Sequence, residues 1–153
     1  MAAPEPQSRA GEYLTFSLGV ESYGVDILQV QEIIGMPRLT RLPRAPEYML
    51  GVMNLRGMVV PVLDMRLKLN LTQDENSEAV VVVLRVGDKI MGAVVDSVRD
   101  VVQLAEEQIQ TPPDFAGGLR RDYLRGLCHL DDQMIILLEL DRLLAQEALS
   151  NAA

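Results

Sequence analysis

The sequence is poor in the residue types that supply catalysis and covalent cross-links. It contains no tryptophan, one cysteine and one histidine, and aromatic residues make up only 4 % of its 153 positions. One cysteine excludes an intramolecular disulfide, and one cysteine with one histidine is too few for a zinc site. The core must therefore be built from Val, Leu, Ile and Met, and the 48 % share of hydrophobic residues is enough for a folded domain.

Long apolar runs and an excess of basic charge are also missing. The longest runs, AVVVVL and MIILL, are shorter than the roughly twenty residues of a membrane-spanning helix. The stretch MAAPEPQSRAGE lacks the apolar segment of a secretory signal. A net charge of −8 opposes binding to nucleic acid and anionic lipid, and the loose basic cluster of Arg38, Arg41 and Arg44 has no aromatics between its members. We expect a cytoplasmic protein with no direct membrane insertion and no nucleic-acid partner.

A catalytic constellation is missing as well. Cys128 and His129 are adjacent, but they fall in a predicted strand, where neighbouring side chains point to opposite faces and cannot act as nucleophile and base together. Asp131 and Asp132 fit a turn better than a pair of catalytic carboxylates. No glycine-rich loop precedes a helix, and no segment has the spacing of a calcium loop. The sequence predicts no enzyme activity, no metal and no cofactor.

What the sequence does contain is short alternating segments separated by turn signals. Residues 1–10 predict a disordered tail, and residues 11–150 predict a single domain of roughly nine or ten short strands, a pattern that favours small barrels. Pro61 cannot donate to a strand ladder, so it predicts an edge strand or a bulge. The apolar face of an expected C-terminal amphipathic helix comprises Leu140, Leu143, Leu144 and Ala148.

Two pairs of stretches share an outline. GVMNLRGMVVPVLDM, which starts at Gly51, aligns with GLCHLDDQMIILLEL, 75 positions later. YGVDILQVQEII, which starts at Tyr23, aligns with MGAVVDSVRDVV, 68 positions later. Short alternating strands also resemble one another by chance, and that alternative stays open here. The favoured interpretation is two similar β subdomains of about seventy residues each, packed on a shared apolar interface with a groove at the seam.

A more specific signal is carried by four segments: YLTFSLGVESYGVDILQVQEI, TRLPRAPEYMLGVMNLRGMVVPVLDMRLKL, MGAVVDSVRDVVQL and YLRGLCHLDDQMIILLELDRLL. In this order they closely resemble the CheW-like family of chemotaxis coupling proteins, from Glu12 to Leu149. The resemblance implies an all-β fold with short helices, in which two interleaved five-stranded SH3-like barrels surround a shared hydrophobic core. It also implies a non-enzymatic adaptor that couples chemoreceptors, the methyl-accepting chemotaxis proteins, to the regulatory domain of the histidine kinase CheA at membrane-associated arrays.

The resemblance also assigns two sets of contact residues. The positions tied to kinase contact are Val30, Glu32, Gly51 and Arg56. Met53 is a candidate for the apolar centre of that interface, and Gly57 completes the predicted kinase-binding set. The positions tied to contact with the chemoreceptor tip are Gly92, Val98 and Val101. Glu32 and Arg56 are able to form a bidentate pair that orients the hairpin tip, and the alternative that both are solvated and unpaired stays open.

Three other functions remain as alternatives at this point. One is a coupling protein of a related chemosensory pathway, such as twitching motility. Another is a β-barrel module that binds nucleic acid, which the charge of −8 opposes. The third is a small hydrolase that uses Cys128, which the missing base opposes.

Overall fold

The computed structural model describes residues 9–71, 78–112 and 121–145. Over these ranges the chain forms eleven strands, two short helices and three 3-10 turns. The strands are β1 Gly11–Leu18, β2 Glu21–Asp26, β3 Val30–Gly35, β4 Met49–Leu55, β5 Met58–Asp64, β6 Val80–Val86, β7 Lys89–Val95, β8 Ser97–Leu104, β9 Ile109–Gln110, β10 Leu124–Leu130 and β11 Gln133–Leu138. The helices are α1 Met65–Lys68 and α2 Leu140–Leu143, and the 3-10 turns are Ile27–Gln29, Glu106–Gln108 and Arg121–Tyr123.

Some predicted segments lie outside the described residues. They are most of the expected tail, the polar loop 72–77, the loop 113–120 and the distal part of the C-terminal helix with Ala148. At the start of the described chain, Arg9 bonds through its Nε to Glu106 Oε1 at 3.0 Å, and its carbonyl accepts a hydrogen bond from the Tyr13 hydroxyl. Arg9, which the sequence assigned to the tail, therefore lies against the folded domain.

The strands form two sheets. The first is six-stranded, in the order β8-β1-β2-β11-β10-β9, and the second is five-stranded, in the order β3-β6-β7-β5-β4. Within the described chain, neighbouring strands are antiparallel except for β2 with β11 and β5 with β7, which run parallel. The structure confirms the predicted all-β class with short helices.

The two sheets repeat one strand order. Strands β3, β6, β7, β5 and β4 of the second sheet occupy the places of β8, β1, β2, β11 and β10 in the first. The registers agree residue by residue, because Val62 lies opposite Gly92 in one parallel pair and Leu137 lies opposite Gly24 in the other. These positions are separated by the same 75 and 68 residues that the sequence comparison indicated. The repeat is therefore a property of the fold and not a chance likeness of alternating strands.

Neither sheet is built from one continuous half of the chain. Strands β1 and β2 lie in the first sheet beside β8, β10 and β11, while β3, β4 and β5 lie in the second sheet beside β6 and β7. Each sheet therefore contains two strands from the other half of the chain, and the two sheets are interleaved along the sequence.

Three apolar clusters fill this arrangement. The largest is shared by both sheets and includes Phe16 and Val25 from the first with Val82 and Leu84 from the second. One smaller cluster, which includes Val81 and Val83, lies within the five-stranded sheet, and another, which includes Cys128, lies within the six-stranded sheet. The valine run of β6 is thus buried on both faces, as its unbroken apolar sequence predicts.

Two local predictions differ from the structure. Pro61 does not lie in an edge strand, because β5 is flanked by β7 and β4. The pairing with β7 begins at Val62, directly after Pro61, and a bulge in β4 between Met49 and Gly51 lies opposite the next residues of β5. The short strand β9 was also missed, since two residues carry too little periodicity to be recognised within a loop.

Candidate partner-binding surface

The candidate site is built on the tip of the β4–β5 hairpin. Arg56 and Gly57 connect the strands with φ angles of 51° and 88°. Two consecutive positive φ angles are typical of the type I′ turn, whose twist matches that of the flanking strands. The Asn54 side-chain oxygen accepts a hydrogen bond from the Gly57 N–H at 2.7 Å, which stabilises the turn. Arginine tolerates this left-handed position poorly, so its presence indicates a role for the side chain.

Arg56 pairs with Glu32 on β3, the edge strand at the other end of the same sheet. Its guanidinium donates to both carboxylate oxygens, at 2.7 Å and 3.3 Å, in the bidentate arrangement that the sequence analysis left as one of two alternatives. The Arg56 side chain is 70 % exposed and that of Glu32 is 31 % exposed. The hydrogen bonds and the charge of Glu32 raise the pKa of Arg56. Because the pair is solvated, its effect is to orient the guanidinium and not to stabilise the fold.

Exposed apolar side chains also belong to the hairpin that carries this ion pair. Met58 and Val59 follow Gly57 in β5, and both are exposed large hydrophobic residues. Ile33, which follows Glu32 in β3, is exposed on the opposite face of its strand. Specific interfaces combine an apolar centre with oriented polar groups, and the hairpin tip supplies both kinds of group within a few residues. The tip is therefore suited to contact another protein surface.

Three other residues predicted to meet the kinase lie beneath this surface. Val30 is half-buried against the shared cluster, and Met53 is 2 % exposed within the five-stranded sheet. Gly51 is buried, and a Cβ atom there would lie 2.4 Å from the Thr40 carbonyl oxygen. Gly51 and Met53 are therefore limited to acting through the backbone and the packing, and their link to kinase contact stays a prediction.

The residues predicted to meet the receptor are distributed over both sheets. Gly92 is buried in β7, where an added Cβ would lie 2.8 Å from the Val81 Cγ1 atom. Val98 and Val101 lie on β8, the edge strand of the six-stranded sheet. Val98 is half-buried against the shared cluster, whereas Val101 is 47 % exposed. Only the β8 edge offers side chains for direct contact, so the three residues do not form one patch.

The repeat makes a second tip, which has the same backbone and different chemistry. Asp131 and Asp132 connect β10 and β11 with φ angles of 50° and 61°. The position equivalent to Glu32 is Asp100, and the position equivalent to Arg56 is Asp131. Two acidic residues cannot reproduce the ion pair. The second tip thus keeps the turn and has no counterpart of the oriented guanidinium.

These features have counterparts in known proteins. The family model described as the CheW-like domain matches residues 12–148. The chain belongs to the CheW-like domain family. It is 45 % identical over 142 residues to the chemotaxis protein CheW of Klebsiella aerogenes, and the alignment covers 91 % of this chain and 84 % of that protein. It is also 37 % identical to the probable chemotaxis protein CheW of Rhizobium etli, with 88 % of each chain covered.

A solved structure extends the CheW-like likeness to three dimensions. The scaffolding protein TtCheW from Thermoanaerobacter tengcongensis superimposes with a TM-score of 0.80 at 28 % sequence identity. The match covers 94 % of this chain and 93 % of that one. The family assignment therefore agrees with the interleaved pair of sheets, which occupies nearly the whole described chain.

This CheW-like fold also contains a buried charged network that was not predicted from the sequence. Arg66 of α1 donates through Nε and one terminal nitrogen to the two carboxylate oxygens of Asp64, each at 2.9 Å. Its other terminal nitrogen donates to Asp96 at 2.9 Å, and Asp96 also accepts the backbone N–H of Gly19. Asp64 ends a strand of the second sheet, and Gly19 lies in the β1–β2 turn of the first. The only sequence signal was Asp-x-Arg at a helix start, which is more often an exposed cap.

The remaining candidates for chemistry are separated by the strand geometry of the CheW-like fold. Cys128 is fully buried in the six-stranded sheet, and burial raises the pKa of its thiol, while the neighbouring His129 is exposed. Among the residues that the structure describes, no group of three or more His, Cys, Asp or Glu is placed to hold a metal ion. In the same part of the chain, no helix is long and apolar enough to cross a membrane.

Proposed function

We propose that the chain is a non-enzymatic adaptor that couples chemoreceptors to the histidine kinase CheA in bacterial chemotaxis. The observation that carries this proposal is the oriented, exposed Arg56 tip on a CheW-like fold. The names of the relatives support it, since they are chemotaxis proteins and one solved neighbour is described as a scaffolding protein. The adaptor works by binding, and no bond is made or broken on it.

The kinase side of the adaptor is the tip of the β4–β5 hairpin. Arg56 keeps donors that Glu32 does not use, on a side chain that is 70 % exposed, and the exposed apolar residues Met58 and Val59 belong to the same hairpin. A partner carboxylate or carbonyl is able to take these donors while apolar groups pack around them. Val30, Gly51 and Met53 support the tip from within the fold.

The receptor side is the exposed edge of β8. Val101 presents an apolar side chain there, and Val98 beside it is partly accessible, which suits an apolar face of a receptor helix. The two contacts lie on different sheets, so one adaptor is able to hold kinase and receptor at once. Residues 11–150 act as one domain in this proposal, and its place is the cytoplasm, at membrane-associated receptor arrays.

Co-elution tests this function directly. The full chain is mixed with a receptor cytoplasmic fragment and the kinase regulatory domain at about 50 µM each, and we expect one ternary peak on size exclusion. Arg56→Glu should lose the kinase domain and keep the receptor fragment, because it places a like charge beside Glu32 and removes the donor. Arg85→Glu, on an exposed side chain of β6, changes the net charge equally and should keep both partners.

A charge swap separates orientation from direct contact. In Glu32→Arg with Arg56→Glu the ion pair is rebuilt with its ends exchanged. Recovery of kinase binding would show that the pair only shapes the tip, whereas continued loss would show that the guanidinium itself contacts the kinase. Failure of the wild-type chain to retain either partner would contradict the adaptor proposal, and unfolding of Arg56→Glu by circular dichroism would assign Arg56 a structural role.

A further inference from the structure

The segment between β3 and β4 carries a concentration of positive charge that the tip does not use. Arg38, Arg41 and Arg44 all have exposed side chains, on a chain whose net charge is −8. Among the residues that the structure describes, none of the three has a hydrogen-bond or ion-pair partner. Arg56, by contrast, is an exposed cation that is paired with Glu32. We name Arg38, Arg41 and Arg44, with the exposed apolar residues Met36 before them and Leu42 between the last two, the arginine ridge.

The backbone holds the arginine ridge in place. Thr40, at its centre, exchanges two hydrogen bonds of 2.9 Å with Val52 of β4. Leu39, on the opposite face of the segment, packs against the cluster within the five-stranded sheet. Two backbone bonds and one apolar anchor fix the direction in which the neighbouring side chains leave the segment. The ridge is therefore part of the edge of the sheet and not a freely moving loop.

One member of the ridge sits in a strained backbone position. Arg44 follows Pro43 in a turn and has a φ angle of 59°. Glycine or asparagine is favoured where a turn requires positive φ, because a larger side chain crowds its own backbone there. An arginine that keeps this conformation without any described partner for its charge points to a use for that charge outside the chain.

The ridge runs along the sheet edge from the Arg56 tip. The Thr40–Val52 bridge is antiparallel, so Arg38 lies on the side toward the tip and Arg44 on the side away from it. Val52 and Arg56 are four positions apart, which at a strand rise of about 3.3 Å corresponds to roughly 13 Å. A partner segment that extends past the tip would therefore meet the ridge next.

We propose that the arginine ridge is a docking surface for an acidic segment of a partner protein, with apolar side chains between its carboxylates. Guanidinium groups bind carboxylates through two parallel hydrogen bonds, and Met36 and Leu42 supply apolar contact beside the charges. A lipid surface or a nucleic acid is extended and uniformly negative, so it would meet the rest of an acidic chain as well. A short acidic segment engages the ridge alone. The inference stands independently of the coupling role, because it rests on the chemistry of the segment and not on the partner's identity.

A peptide-binding experiment with charge-matched variants tests the ridge. The probe is a short fluorescein-labelled peptide of repeating Glu-Glu-Leu, titrated with the full chain and followed by anisotropy at about 50 mM and about 300 mM salt. The ridge variant is Arg38→Glu with Arg44→Glu; Arg41 is left unchanged because its backbone lies against Gly51. The control is Arg85→Glu with Arg142→Glu, on exposed side chains of β6 and α2. Both variants replace two positive with two negative charges and take the net charge from −8 to −12.

We expect the wild-type chain to bind the peptide, the ridge variant to bind it about tenfold more weakly, and the control to change by less than about twofold. Amide chemical-shift changes on peptide binding should concentrate in residues 36–47. A Lys-Lys-Leu peptide, vesicles of phosphatidylserine with phosphatidylcholine, and a single-stranded oligothymidine should not bind. Equal weakening of both variants would show a net-charge effect alone and overturn the proposal. Absent peptide binding, shifts confined to another surface, or stronger binding of vesicles or oligonucleotide would overturn it as well.

Discussion

Replacing Arg66 with methionine tests the buried network that connects the two sheets. In the folded protein the side chain of Arg66 is 11 % exposed, and those of its partners Asp64 and Asp96 are 2 % and 4 % exposed. Methionine fills a similar volume but removes three charge-assisted hydrogen bonds, each of 2.9 Å, and takes the Arg66 charge away from two buried carboxylates.

The cost of that change is set by the carboxylates left behind. Breaking a buried ion pair by removing one partner typically costs about 3–5 kcal/mol. A domain of this kind unfolds with a free energy of about 5–15 kcal/mol, so Arg66→Met should remain folded in buffer and unfold at a much lower urea concentration. Far-UV circular dichroism across a urea titration measures the difference.

Two further variants make the reasoning refutable. Arg85→Met removes an exposed arginine and should change the free energy of unfolding by less than about 0.5 kcal/mol. Arg66→Met combined with Asp64→Asn and Asp96→Asn removes the charges together and should recover part of the loss, because neutral replacements of a whole buried network are often tolerated. A loss below about 1 kcal/mol for Arg66→Met, or a triple variant no more stable than the single one, would show that the burial of these charges is not what the network controls.

Three further predictions concern a close backbone contact, a buried thiol and the receptor edge. Gly51→Ala should lower the free energy of unfolding by about 3 kcal/mol or more, because its Cβ would lie 2.4 Å from the Thr40 carbonyl oxygen, whereas Gly35→Ala meets no atom within 4 Å and should be nearly neutral in the same urea titration. Burial raises the pKa of the Cys128 thiol above its ordinary value of 9.0, so the contribution of this thiol to the free energy of unfolding is complete below pH 9 and falls as the pH rises through the folded-state pKa. Urea midpoints measured from pH 8 to 11 should therefore fall less steeply in Cys128→Ala than in the wild-type chain. Parallel curves for the two proteins would contradict this. Val101→Glu should leave the urea midpoint unchanged and weaken retention of the receptor fragment, and undiminished retention would remove the β8 edge from the receptor contact.

The repeated outline was readable from the sequence because each strand pair keeps its own spacing. Gly24 and Gly92 have the same role in their sheets, since an added Cβ at either would lie within 3.0 Å of a side chain of the neighbouring strand. Because these close contacts require glycine at both positions, the repeat is visible in the sequence as aligned glycines and apolar residues. Alternation alone did not predict the exchange of strands between the halves, because it identifies the faces of a strand and says nothing of which strand lies beside it; only the family resemblance implied interleaved barrels.

The candidate site was predictable to a different extent for each residue. The family resemblance identified Glu32 and Arg56, their opposite charges left pairing as one of two alternatives, and the structure shows the contact between them. Burial was not predictable for Met53 and Gly92, because a long apolar side chain or a glycine in an alternating strand is compatible with either face. The role of Arg66 was hidden for the opposite reason, since a charged residue in a short helix ordinarily lies in solvent.

The exchange of strands also determines when each sheet can be completed as the chain is synthesised. The five-stranded sheet needs nothing beyond Val95, so all its strands have been made before β8 begins. Strands β1 and β2 are made first of all, yet β2 gains its second neighbour only with β11, which ends at Leu138. Such distant pairing is slow and leaves strand edges open in the meantime. Strands β1 and β2, which are synthesised first, are thus the strands whose pairing has to wait for the C-terminal part of the chain.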